Sequence, residues 1–270
     1  MSTTIDYQFM IKIIENANSI SRFYYDIETI DTKQKDDDSP VTMADLAING
    51  YLKCALKSKY PDIPFVSEEE YDCNVHYDLY WLVDPLDGTK EFCMRQNDFT
   101  INVALIKDNF PIFGIVGVPM HNTIYYADDN SAYKVDLTNN TKKEISARSV
   151  DINKMVVVVS SSHSNDLTES YLKTIKGSYT KLNVGSSLKI LKIAEGNADL
   201  YPRLNGTCEY DTAAAHYILN KAGGRMVSYP DEQEVKYNKT TGPINMPIYG
   251  DKYKDKKIQN PFFICYGKAD

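Results

Sequence analysis

Residues 80–92 read Tyr-Trp-Leu-Val-Asp-Pro-Leu-Asp-Gly-Thr-Lys-Glu-Phe, and they limit the fold more than any other stretch of the chain. The apolar run from Tyr80 to Val83 reads as a short strand, closed by two carboxylates, Asp84 and Asp87. Gly88 and Thr89 then read as a helix start. Such a junction sets anionic oxygens beside helix N–H groups. The oxygens suit a hard divalent cation such as Mg²⁺. The N–H groups suit a phosphate. A metal site joined to a phosphate site is the minimum apparatus for moving a phosphoryl group. Asp, Pro and Gly are also ordinary turn formers, so a lone Asp-Pro-x-Asp would read as a plain connection.

The 270 residues suffice for a sizeable core, as one large domain or two coupled halves. A net charge of −7 opposes binding of polymeric nucleic acid, which needs basic surface. An anionic substrate must then be attracted locally, by a metal and a few Lys or Arg. The five cysteines are widely spaced and form no Cys-x-x-Cys, so neither a disulfide framework nor a zinc site is expected. No signal-peptide pattern opens the chain, and Val156 to Val159, the longest aliphatic run, is too short to span a bilayer. The expectation is a soluble, cytoplasmic protein with no membrane partner, monomeric or else dimeric.

Apolar positions at helical spacing predict a helix over residues 5–25 and another after Thr42, an N-cap with Asp45 three residues on. Beyond the 80–92 junction, strands are predicted at 99–106, 112–118, 123–127 and 132–135, as a meander with helices on one face. Near residue 150 the pattern changes to alternating helix and strand. The expected organisation is an α+β half over 1–150 and an α/β half over 151–270. Residues 228–260 read as a long surface loop, and 262–266 as a closing strand.

Acidic residues beside structural breaks come from four segments: Asp45, Glu68–Glu69, Asp84/Asp87 and Asp211. Singly, each has an ordinary explanation: Asp45 as a cap, Glu68 as a surface glutamate, Asp211 as a first-turn residue favoured by the helix dipole. Together they occur as Ser39-Pro40-Val41-Thr42-x-x-Asp45, Ser67-Glu68-Glu69, Asp84-Pro85-Leu86-Asp87-Gly88-Thr89 and Tyr210-Asp211-Thr212-Ala213-Ala214. In that order they resemble the inositol-monophosphatase superfamily of Mg²⁺-dependent, lithium-sensitive phosphatases. The ending Thr89-Lys90-Glu91-Phe92 resembles the 3′(2′),5′-bisphosphate nucleotidase branch, and Gly185-Ser186-Ser187-Leu188-Lys189 also matches.

The resemblance implies an α/β fold, the layered α/β/α/β/α sandwich of the inositol monophosphatase and fructose-1,6-bisphosphatase type, with the site between the halves. It implies two to three Mg²⁺ ions. Glu68, Asp84 and the Leu86 carbonyl would hold one, Asp84, Asp87 and Asp211 a second, and a third would lie near Glu68 and Asp45. Asp45 and Thr89 would orient and deprotonate the attacking water. Gly88 and Thr89 would hold phosphate oxygens. Ser162, His163, Gly185, Ser186, Lys189 and Arg203 would meet the nucleotide. The implied substrate is a small nucleotide bisphosphate, 3′-phosphoadenosine 5′-phosphate, with its sulfated form as a further candidate. Two alternatives remain: an inositol monophosphatase or inositol-polyphosphate 1-phosphatase, and a phosphonucleotide sensor without turnover. Ser161, Glu209 and Tyr210 depart from the usual pattern and bear on nucleotide identity rather than on the metal core.

Overall fold

The computed structural model describes residues 4–27, 32–34, 40–70, 76–160, 165–238 and 259–268. Helix α1 (Tyr7–Tyr25) opens on Asp6, whose carboxylate accepts from the Phe9 N–H at 3.0 Å. It buries Met10, Ile13, Ile14 and Ala17, positions three and four apart on one face. Two short antiparallel strands follow, β1 (Thr32–Gln34) and β2 (Pro40–Thr42). Thr42 and Asp45 then cap α2 (Met43–Lys59) reciprocally: Ala44 N–H donates to the Thr42 hydroxyl, and Thr42 N–H to Asp45 (2.8 Å).

The first sheet runs in the order β3 (Phe65–Ser67), β4 (Leu79–Asp87), β5 (Thr100–Lys107), β6 (Phe110–Val118), β7 (Thr123–Ala127), β8 (Ala132–Asp136) and β9 (Thr141–Ile145). Only β3–β4 is parallel. A one-residue helix cap, Gly88, joins β4 to α3 (Thr89–Cys93). Seven of the eight β5 residues are buried, so this sheet is covered twice. Trp81, Val83, Ile101, Val103 and Phe113 face α1 and α2. Tyr80, Leu82, Ala104, Ile106 and Val116 face the other way. The expectation of helices on one face is therefore corrected. The unbroken apolar runs in these strands, in place of alternation, are the physical sign of two buried faces.

The second sheet is built from β10 (Met155–Ser160), β11 (Tyr179–Val184), β12 (Leu200–Arg203), β13 (Arg225–Ser228) and β14 (Phe263–Tyr266), in the order β11-β10-β12-β14-β13. α4 (Asp166–Leu172) packs on its outer face through Leu172. Between the two sheets lie α5 (Leu188–Ala194) and α6 (Glu209–Lys221), which share one core with both. The layers are thus α1/α2, first sheet, α5/α6, second sheet, α4, the expected five-layer sandwich. Gly114 of β6 allows α6 to pack closely on the first sheet, since a Cβ there would stand 2.3 Å from the Ala214 carbonyl oxygen of α6. Asp199, just before β12, accepts from Arg148 Nε (2.7 Å) and Nη2 (2.6 Å) and from the Val156 N–H (2.6 Å), tying residues 148–156 to the second sheet.

The described part of the 228–260 segment is not all surface. Val235 and Tyr237 are buried, and the Tyr237 hydroxyl meets His216 Nδ1 at 3.0 Å. Residues 239–258 lie outside the described residues. Among the described residues no helix is long and apolar enough to cross a membrane.

Candidate active site

The site grows from an irregularity in β4. In a regular strand, residues three apart point to opposite faces. The ladder between β4 and β5 shifts register between Asp84 and Asp87. Such a bulge re-aims side chains, and here both carboxylates reach one cavity of about 280 Å³ between the first sheet and α5/α6. Asp84 Oδ1 is steadied by the Leu86 N–H (3.0 Å). Gly88 turns the chain into α3 at φ +96°, a left-handed conformation that favours glycine.

Asp211 arrives from the third residue of α6, where its Oδ2 accepts from the Cys208 N–H (2.8 Å). Its helix-cap role and its place in the site are therefore compatible. Oxygens of Asp84, Asp87 and Asp211 all lie within 4.8 Å of one another. Glu68 also lines the cavity, with its N–H on the carbonyl of Val83 in β4 (3.0 Å), the residue before Asp84.

The electrostatics follow from this crowding. Burial, with Glu68, Asp87 and Asp211 nearby, lifts the Asp84 carboxyl well above the usual carboxylate range. Burial lifts Asp87 to about 6 against the opposing pull of Lys189. Burial, with Asp87 and Glu68, lifts Asp211 to about 8. Three carboxylates held together, with no salt bridge to any of them among the described residues, form an all-oxygen donor set at an unfavourable negative charge. Those residues fit a hard divalent cation.

Thr89 Oγ1 stands 3.3 Å from Asp45 Oδ1 and 3.2 Å from the Leu86 carbonyl. Asp45 itself is fully buried behind Thr89, and burial raises it to about 6 despite hydrogen bonds from Thr42. Lys189 is buried at the cavity wall, with its ammonium 5.9 Å from the Tyr201 ring centroid. Burial lowers it to about 8, Arg203 adds to the fall, and Asp87, Glu91 and Asp211 oppose it.

The cavity thus gathers Glu68, Asp84, Leu86, Asp87, Gly88, Thr89, Ser186, Lys189, Arg203 and Asp211. Gly185 contributes no wall: its N–H is held by Asp98 Oδ2 at 3.0 Å, and a Cβ there would meet the Asp98 carbonyl oxygen at 2.7 Å. Ser162 and His163 lie outside the described residues. Glu209 turns away from the cavity, fully buried, and accepts from the Asn238 N–H at 2.7 Å. Sequence reasoning missed Glu91, Tyr201 and Thr207 on the wall. Glu91 had a local signal as the third residue of Thr-Lys-Glu-Phe, and Tyr201 one as part of Leu-Tyr-Pro-Arg, which ends in Arg203; Thr207 had none.

The family model for the inositol monophosphatase family matches residues 3–258. The chain belongs to that family. Within the inositol monophosphatase family it is similar to the 3′(2′),5′-bisphosphate nucleotidase CysQ of Salmonella typhimurium, 40% identical over 219 residues, 80% of this chain and 87% of that protein. The CysQ nucleotidase of Buchnera aphidicola is 38% identical over 225 residues, 81% of this chain and 83% of that protein. Among solved structures, CysQ of Bacteroides thetaiotaomicron, described as a bacterial member of the inositol monophosphatase family, superposes with a TM-score of 0.77 and 31% identity, covering 97% of each chain. An IMPase from Thermotoga maritima shares the fold (TM-score 0.71, 20% identity, 96% of this chain and 91% of that one).

Proposed function

We infer that this protein is a 3′(2′),5′-bisphosphate nucleotidase, a phosphatase that removes the 3′-phosphate of 3′-phosphoadenosine 5′-phosphate to give AMP and phosphate. The observation that carries the substrate class is 40% identity, over 80% of the chain, to proteins named for that activity. The carboxylate cavity supports the reaction class. Mg²⁺ is the proposed ion, two or three per molecule, held by Glu68, Asp84, Asp87, Asp211 and the Leu86 carbonyl. When bound, such ions supply positive charge that makes water acidic near neutral pH and offsets charge on the leaving oxygen.

The chain's own groups handle the proton. The Thr89 hydroxyl has one hydrogen and two acceptors, Asp45 Oδ1 and the Leu86 carbonyl, at nearly equal distance. With that hydrogen on Asp45, a Thr89 lone pair faces the cavity and receives the proton of the attacking water. Thr89 passes its own proton to Asp45, which is ionised near neutral pH yet basic enough to accept it. The first N–H groups of α3 lack helical partners and suit the phosphate oxygens. Lys189 and Arg203, on the cavity wall, supply charge for the second phosphate. The sulfated nucleotide carries the same adenosine and 3′-phosphate, and it is proposed as a further substrate.

The test is phosphate release from 3′-phosphoadenosine 5′-phosphate and from inositol 1-phosphate, side by side, with Mg²⁺ and with chelator. Preference for the nucleotide, lost on chelation, is the expected result. Preference for the inositol ester overturns the substrate and keeps the metal site. Nucleotide binding without phosphate release, Mg²⁺ present, would mean a sensor.

A further inference from the structure

Behind Asp87 lie three buried polar side chains that the chemistry above does not use. Thr100 and Asn102 of β5 and Ser187, at the start of α5, are 0%, 1% and 4% exposed. Leaving a buried hydroxyl or amide unbonded costs free energy, so most are bonded. These bond one another across more than 80 residues of chain. Ser187 Oγ donates to Asn102 Oδ1 at 2.8 Å. An amide oxygen only accepts, so the Ser187 proton is spent there. Thr100 Oγ1, 2.8 Å from Ser187 Oγ, is then the donor of that pair. Asn102 Nδ2 closes the ring on Thr100 Oγ1 at 3.4 Å.

This ring fixes a backbone group rather than a reacting one. With Ser187 seated, its N–H points at Asp87 Oδ2 (2.5 Å), and Thr100 Oγ1 stands 3.5 Å from the same oxygen. The chain reaches that contact through Ser186 at φ +46°, a conformation disfavoured for serine that needs a local hold. A carboxylate ligand swings about its last torsion unless one oxygen is held. Asp87 comes from the first sheet, and the group that holds it comes from α5.

We propose that Thr100, Asn102 and Ser187 form a clamp between the first sheet and α5 that positions Asp87 to bind the cation. They are positioning residues, and the inference rests on the reading of Asp87 as a cation ligand. The test is Mn²⁺ binding by titration calorimetry to the full-length wild type, Asp87→Asn, Ser187→Ala, Thr100→Val and Thr100→Ser, with thermal unfolding of each in chelator. Ser187→Ala and Thr100→Val are expected to weaken Mn²⁺ binding about tenfold, and Thr100→Ser, which keeps the hydroxyl, to restore it to within about twofold. Thr100→Val preserves shape, so it carries the test even where Ser187→Ala fails to fold. Lower stability with wild-type Mn²⁺ affinity in both, while Asp87→Asn loses binding, overturns the clamp and leaves Asp87 as a ligand. Wild-type affinity in Asp87→Asn overturns both.

Discussion

Gly114→Ala asks whether the packing of α6 carries the site. The added Cβ would meet the Ala214 carbonyl oxygen at 2.3 Å and its carbon at 3.0 Å. Backbone cannot swing aside as a side-chain tip does. Ordinary contact begins near 3.4 Å, so α6 must retreat by about 1 Å. Overpacking of this kind costs about 1–3 kcal/mol. Asp211 sits three residues before Ala214 on the same helix and moves with it. Misplacement of about 1 Å at a reacting centre costs on the order of a hundredfold in rate. Urea unfolding should therefore show a loss of about 2 kcal/mol. Phosphate release at saturating Mg²⁺ should fall at least about tenfold in protein that is still folded. Wild-type stability would refute the contact. Lost stability with full rate would refute the link between helix position and chemistry.

Three further outcomes are expected. Asp87→Asn removes charge but little volume, so turnover should fall by at least about a hundredfold while circular dichroism stays that of the wild type; near-normal turnover would sink the metal role. Asp87, Asp211 and Asp45 all titrate higher when folded than the ordinary 3.8, so the folded state binds more protons than the unfolded one as pH rises through 6 and 8. Stability in chelator should fall over that window and flatten with Mg²⁺; a chelated protein that melts higher at about pH 8 than at about pH 5.5 contradicts this. Asp199→Ala strips three bonds from Arg148 and Val156 and should cost about 3 kcal/mol in urea unfolding, with less than 1 kcal/mol refuting it.

The site was legible where its chemistry is local. Asp84, Asp87, Gly88 and Thr89 share six residues of chain, and Asp45 and Asp211 each open a helix that the pattern already marked. The bonds among Thr100, Asn102 and Ser187 were not legible, because a buried polar residue in an apolar strand means nothing until its partner, here at the start of α5, is known. β9 was missed for a different reason. Thr-Lys-Lys-Glu-Ile buries only Ile145, so this sheet edge carries no hydrophobic period, and its lysines are what an edge strand uses against stray pairing. The second covered face of the first sheet was written in β5 as the apolar run Val103 to Ile106, but what covers it lies a hundred residues on.

That distance has a consequence during synthesis. The face of the first sheet bearing Ala104, Ile106 and Val116 is covered by α6, which ends 76 residues after Ile145 completes the sheet. At roughly 5–20 residues per second, a nascent chain emerging from the ribosome carries that bare apolar face for roughly 4–15 s. The N-terminal strands then have no finished state of their own to wait in, and a chain cut before α6 should be held by chaperones or aggregate.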